Sequence, residues 1–161
     1  MAADVKTKYG AAGQAITCTL AALANAGARE STVVDNSANL YLDALVQLQV
    51  KSNAAGTVAT GYVDVYAYGT VDGGTTYSDS ATGADAGITL TSPPNARMIG
   101  RINVVANAVT YQGHPMSVAA AFGGVLPDHW GIIVMNGTGA ALDAVEAAHL
   151  KLYQGVYAQT T

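Results

Sequence analysis

The side chains able to do chemistry are few and scattered. Histidine occurs three times, at His114, His129 and His149, and cysteine once, at Cys18. A hydrolytic trio of Ser117, His114 and Asp128 can be written down, because a serine nucleophile needs a histidine base and a carboxylate to orient it. That spacing is not diagnostic, and His114 between Gly113 and Pro115 reads better as a turn residue. No G-x-S-x-G elbow, H-E-x-x-H zinc motif or glycine-rich phosphate loop occurs anywhere in the chain. Asp72, Asp79 and Asp85 share one loop and raise the question of Ca²⁺, but the EF-hand order is absent and solvated loop acids are the simpler expectation. The lone cysteine leaves no internal disulfide and no C-x-x-C site, so Cys18 is expected to be a small buried hydrophobe. The expectation is therefore no catalytic residue, no cofactor and no metal.

The totals point the same way. The chain has 161 residues, half of them apolar, and only 11% charged. Seven Lys and Arg are scattered singly against eleven Asp and Glu, for a net charge of −4. Without a basic stripe to neutralise phosphates, nucleic acid is not an expected partner. A mean hydropathy of +0.25 in a chain with no membrane-length segment implies that surface is covered by partner subunits. The opening MAADVKTKYGAAGQ has no apolar core of a signal peptide, which predicts synthesis without secretion. Asn136-Gly137-Thr138 matches a glycosylation sequon, taken as a chance match in that setting.

The elements that must position these side chains are strands. In LYLDALVQLQVK, Leu40, Leu42, Ala44, Val46, Leu48 and Val50 alternate with Tyr41, Asp43, Gln47, Gln49 and Lys51. A period of two is the signature of a half-buried strand. GYVDVYAYGTV repeats it, with Val63, Val65, Ala67 and Val71 opposite Tyr62, Asp64, Tyr66, Tyr68 and Thr70. Further strands are predicted around QAITCTLAALA, STVVDN, ITL, MIGRINVVANAVTY, MSVAAAF, WGIIVMN and HLKLYQGVYAQ. Thr19 to Ala28 reads as either strand or short helix, ALDAVEAA allows a helical turn, and Asp72 to Gly87 is a polar loop too long for a tight hairpin. With no βα units, the expected fold is all-β: an antiparallel two-sheet β-sandwich, jelly-roll-like, of about eight or nine strands. Residues 1–14 are expected to be an N-terminal arm and 15–161 a single β-sandwich domain.

SVAAAFGGVLPDHWGIIVMNGTG, Ser117 to Gly139, is the most apolar stretch. A membrane helix needs about 20 predominantly apolar residues, and Pro127-Asp128-His129 interrupts this one. Two core strands around a corner at Pro127–Trp130 are predicted instead, and neither a membrane nor a nucleotide is expected as partner.

Two tyrosine stripes are expected on exposed faces opposite aliphatic ones: Tyr62, Tyr66 and Tyr68 on one strand, and Tyr153 and Tyr157 on another, where Leu150 and Leu152 take the opposite face. Such stripes suit a protein interface, plain packing or a sugar-stacking platform, and the interface is ranked first. His129 and Trp130 at the corner join them as candidate contacts.

The succession AITCTLAALANAGARESTVVDN, NLYLDALVQLQVK, VYAYGTVDGGTTYSD, ARMIGRINVVAN, SVAAAFGGVLPDHWGIIVMNGTGAAL and KLYQGVYAQ resembles a family of small proteins encoded in tailed-bacteriophage structural gene regions. The resemblance implies a non-enzymatic virion component, made in the bacterial host cytoplasm. Its partners would be the major capsid protein or other virion proteins, and copies of itself as a homo-oligomer. A capsid decoration or cement protein is the first expectation and a tail or head–tail accessory subunit the second. A carbohydrate-binding module for host attachment is the alternative of another class.

Overall fold

The computed structural model describes residues 4–160, in which every regular element is a strand or a short 3-10 turn. All strand pairings are antiparallel, and they build two sheets. The first holds β1 (Val5–Tyr9), β12 (Leu150–Thr160), β5 (Asp43–Lys51) and β10 (Met116–Ser117) in that order. To it are added β2 (Gln14–Ala15), which pairs β12, and β9 (Thr110–Gln112), which pairs β5. The second sheet runs β7 (Ala86–Ile88), β3 (Ala28–Glu30), β11 (His129–Gly137), β6 (Tyr62–Thr70) and β8 (Arg97–Asn103), with β4 (Val34–Asp35) pairing β11.

The alternation read from the sequence decides what lies between the sheets. Ala44, Val46, Leu48 and Val50 of β5 face Val63, Val65 and Ala67 of β6 and Trp130, Ile132 and Val134 of β11 in one buried cluster. Each fully buried aliphatic side chain there contributes roughly 1.5–3 kcal/mol by leaving water. Trp130 from one sheet meets Tyr153 from the other edge-to-face, ring centroids 5.3 Å apart, so the two largest core rings join the layers.

Four local expectations are revised. MSVAAAF contributes only the two-residue β10, followed by a 3-10 turn at Ala119–Phe122; WGIIVMN is the long core strand β11. Thr19 to Ala28 is neither strand nor helix until β3 begins, because Ala22 and Ala26 adopt φ of 53° and 61°, which a right-handed helix does not contain. Its turns are fastened instead by Glu146, which accepts the Leu20 and Ala21 amides at 2.8 and 2.7 Å. In β12 the facing is inverted: Tyr153 points into the core, so Leu150 and Leu152 point outward. Finally, Val5–Tyr9 within the expected arm is a strand paired along the end of β12.

Glycines in the strands make room for tyrosine rings. Gly131 lies directly across from Tyr68, Gly137 across from Tyr62, and a Cβ built on either glycine would overlap the ring. Gly155 carries the Tyr41 ring in the same way. Gly131→Ala is therefore expected to lower unfolding free energy by about 2 kcal/mol or more, since the overlap is with a fully buried ring. Gly87→Ala, on an exposed strand position with nothing near its Cβ, should stay within about 0.5 kcal/mol of the parent. Paired chemical denaturation curves check both, and equal effects would refute the packing argument.

Candidate functional site

The tyrosine stripe of β6 lies on the outer face of the second sheet, and much of that face is not surface. The segment after β6 folds back across it. Tyr77 meets Tyr68 edge-to-face at 5.3 Å, and the two form a second apolar cluster with Ala81, Ala96 and Ile133. Tyr68 is fully buried, and its hydroxyl donates to the Ser31 carbonyl at 2.6 Å. Burial pushes its phenol well above the ordinary range. Tyr62 is half-buried beneath the Arg101 guanidinium, 3.9 Å from its ring centre, while Arg101 grips Asp64 with two bonds of 2.5 and 2.7 Å. Tyr66 is half-buried beside the second cluster.

Of the seven candidate interface residues, Tyr68, Trp130 and Tyr153 thus sit inside the protomer, at 0%, 1% and 8% exposure, and cannot offer their rings to an external partner. Tyr62, Tyr66, Tyr157 and His129 are partly exposed. The seven do not form one patch. Tyr157 packs beside Tyr41 at 6.1 Å, and His129 lies near Asp35 and Asp128 at 3.9 and 3.5 Å.

The long loop's carboxylates are separate and each is engaged. Asp72 accepts the Thr75 and Thr76 amides of its own turn. Asp79 takes the Ala96 and Thr91 amides at 2.5 and 3.2 Å, together with the Thr91 hydroxyl. Asp85 binds Arg29 Nε at 2.5 Å and the amide and hydroxyl of Thr19. No cluster of three metal-ligating side chains occurs among the described residues. Although burial opposes it, these hydrogen bonds hold the carboxyls of Asp79 and Asp85 below the usual carboxylate range, and Lys151 with two amides does the same for Glu146. The loop is a cover tied down by carboxylates, and Glu30 is its central tie. Glu30 is buried on β3 without a cation and accepts the Thr82 amide and hydroxyl, both at 2.8 Å, and the Gly83 amide at 3.2 Å.

The hydrolytic trio gains no geometry. Ser117 donates its hydroxyl to Asp43 at 2.7 Å, and no hydrogen bond among the described residues joins it to His114 or Asp128. His114 and Ser117 do line one open cleft of about 440 Å³ between β8 and β10, with Arg97, Met98 and Ala121. Cys18 is buried, and burial pushes its thiol up to about 12, the direction opposite to that of reactive cysteines. His149 is buried and bonded to the Lys51 amide and the Asp143 carbonyl.

The uncovered surface is the outer face of the first sheet. Residues directly opposite in an antiparallel pair share a face, so Leu150, Leu152, Gln154 and Val156 of β12 lie with Gln49, Gln47, Leu45 and Asp43 of β5. Gln112 of β9 continues the row beside Gln49. Charge occurs only at its two rims. Asp43 accepts from Ser117 and the Ala119 amide, and Lys51 is paired with Asp143 at 3.0 Å. Between them are leucine and glutamine, forming two shallow depressions, one around Leu150 and Gln49 and one around Leu45 and Gln154.

The face continues onto an arm. Residues 157–160 of β12 run past the start of β5 and pair only with β1, giving a two-stranded ribbon in which all five β1 side chains are exposed. One side of the ribbon carries Val5, Thr7 and Tyr9 with Val156, Ala158 and Thr160; the other carries Lys6 and Lys8 with Gln159 and Tyr157. Sequence reasoning missed this strand, although Val5-Lys6-Thr7-Lys8-Tyr9 alternates with a period of two. No protein family, curated protein or solved structure matches the chain.

Two predictions follow from the ties. Glu30→Ala removes the oxygen that accepts both backbone amides and the one that accepts the Thr82 hydroxyl, so the cover should loosen and global stability fall by about 2–4 kcal/mol. Limited proteolysis should then cut within residues 72–96, with an unchanged cleavage pattern counting against the cover. On acidification the sign is set by lowered carboxyl values. Stability from Asp79, Asp85 and Glu146 is fully present above the ordinary carboxylate range near about 4, and it is lost as pH falls through their lower folded values. Urea midpoints should therefore be level between about pH 5 and 7 and drop below about pH 4, with a shallower drop in Asp79→Asn.

Proposed function

We propose that this protein is a non-enzymatic virion structural component, a capsid decoration or cement protein that binds the outside of phage capsomers and stabilises the head. The observation that carries the proposal is the pair of unequal sheet faces: one covered by the chain's own loop, the other bare and almost free of charge. Cores of protein interfaces are depleted in charged residues, and a contiguous surface of this kind on a small domain marks an interaction site. Up to four strand widths at about 4.8 Å over the seven β12 residues paired with β5, at about 3.3 Å each, give roughly 440 Å², and the two-stranded ribbon adds about 130 Å², together about 70% of one partner's share of a standard interface. We read the two sheets as a jelly-roll-like sandwich of about eight or nine principal strands, with the shortest pairings as extensions of it. A tail or head–tail accessory subunit uses the same surface and differs only in where on the virion it docks. The sugar-stacking alternative loses Tyr68 and Tyr153, which are core residues, and keeps only the partly exposed Tyr62, Tyr66 and Tyr157, which do not form one patch.

The test is addition of the purified chain to particles made without it. Particles lacking it should assemble yet rupture at lower temperature, and the added chain should co-sediment and restore them. Leu150→Arg, which places a charge in the middle of the bare face, should fold normally and lose co-sedimentation by about tenfold or more. Failure of the unaltered chain to bind particles, or equal rupture with and without it, would sink the proposal.

A further inference from the structure

The ribbon has a second side whose chemistry differs from that of the bare face. Four of the seven Lys and Arg are ion-paired within the body: Arg29 with Asp85, Lys51 with Asp143, Arg101 with Asp64, and Lys151 with Glu146. Of the remaining three, Arg97 lies in the cleft beside β8, while Lys6 and Lys8 stand together on the inner side of the ribbon. With those two set aside, the rest of the chain holds eleven acidic and five basic residues, a net charge of −6. Asp4 precedes the ribbon strand, so residues 4–9 carry a net charge of +1 against −5 for the rest of the chain.

Both poles lie at one end of the molecule. The ribbon leaves the first sheet where β5 begins at Asp43, and that same end carries the Asn36 amide bonded to the Asp128 carbonyl and the pairing of Asp35 with His129. Asp35 and Asp128 are exposed there on either side of His129, at 3.9 and 3.5 Å from its ring, and among the described residues neither has a Lys or Arg partner. Around them are exposed Leu40, Leu42, Val71 and Val125, at 71%, 53%, 97% and 68%. Within one copy the lysines do not reach these acids, and a two-stranded ribbon by itself is marginally stable in water.

We propose that the ribbon docks on a second copy of this chain, its Lys6 and Lys8 against the neighbour's Asp35 and Asp128 and over the neighbour's exposed leucines and valines. A patch on the arm meeting a different patch on the body is a heterologous contact, so each copy both gives and receives an arm. Two lysines on a chain otherwise of net negative charge are too few to hold nucleic acid or an anionic bilayer, whereas they match an acidic protein surface. The arrangement extends the decoration reading without needing it. The bare face is left for the capsid and the inner side of the ribbon for the neighbour, and self-association is measured with no particle present.

Sedimentation equilibrium of the purified chain at low salt tests this. Concentration-dependent association is expected, weakening by about tenfold or more in 0.5 M NaCl as screening shortens to a few ångströms. Lys6→Glu with Lys8→Glu should weaken it by about the same factor, and so should Asp35→Lys with Asp128→Lys. All four changes in one chain should restore association to near the parent value. Every altered residue is exposed, and an unchanged thermal midpoint shows that the variants fold. A monomer at all concentrations overturns the inference, as does association indifferent to salt and to the charge reversals. Failure of the fourfold variant to recover removes the assigned acidic partner and overturns the pairing. Loss of particle binding with self-association intact instead counts against the decoration reading alone.

Discussion

The carboxylate of Glu30 is the contact on which the division of this molecule into covered and bare surface depends. It is buried on β3 with no cation beside it, and two amides and a hydroxyl from Thr82 and Gly83 satisfy it. A buried carboxylate left unbonded would cost several kilocalories per mole, so the loop must return to this point on the outer face of the second sheet. Once there it carries Tyr77 onto Tyr68 and Ala81 into the second cluster, and Asp79 fixes the descent toward β8 through the Ala96 amide. One sheet therefore has apolar neighbours on both faces. The other has them on one face only, and its exposed side was left to leucine and glutamine.

That asymmetry explains which parts of the fold were legible. Strand β5 was read correctly from Ala44 to Val50, where the buried face is purely aliphatic and the other face polar except for Leu45, but Leu40 and Leu42, expected on the buried face, lie before the strand and are exposed, with Leu40 turned to a φ of 53°. Strand β12 was read with its faces exchanged. The rule that leucine points inward and tyrosine outward fails there because Trp130 offers Tyr153 an edge-to-face partner and Gln14 accepts its hydroxyl at 3.1 Å. Tyrosine satisfies either side of a sheet once its hydroxyl has a partner. The β6 stripe misled for the same reason: alternation correctly placed Tyr62, Tyr66 and Tyr68 on the face away from the main core, but not beneath a loop.

The candidate site was less legible than the fold, because what makes it a site is which face lacks a cover. The contacts closing the second sheet span the sequence: Glu30 to Thr82, Asp85 to Thr19, Asp79 to Ala96. None has a local signature, since acceptor and amide are brought together only by the finished fold. The acids of the long loop looked like potential cation ligands for that reason. Each in fact holds backbone amides, Asp72 those of its own turn and Asp79 and Asp85 those of other segments, which is the commoner use of a carboxylate in an irregular region. The ribbon is a different case. Its alternation was present in five residues, but a strand of that length between charged positions gives no hint of which edge it joins.

The mean hydropathy raised by the sequence can now be placed. A chain this rich in apolar residues can bury the excess in a larger core or leave it outside. Six large hydrophobic side chains are exposed at the ribbon end, on the ribbon itself or around its base: Val5, Tyr9, Leu40, Leu42, Val71 and Val125. Leu150 and the half-exposed Leu152 lie on the bare face. A deeper core would raise the stability of one copy and leave nothing for assembly. In the proposed contacts these same side chains would contribute their burial free energy, roughly 25 cal/mol per Å², on meeting a neighbour. Low charge serves the same end, because each charge on such a surface would have to be desolvated at every contact. In the proposed contact Lys6 and Lys8 on the ribbon and Asp35 and Asp128 at its base would select orientation more than they add strength.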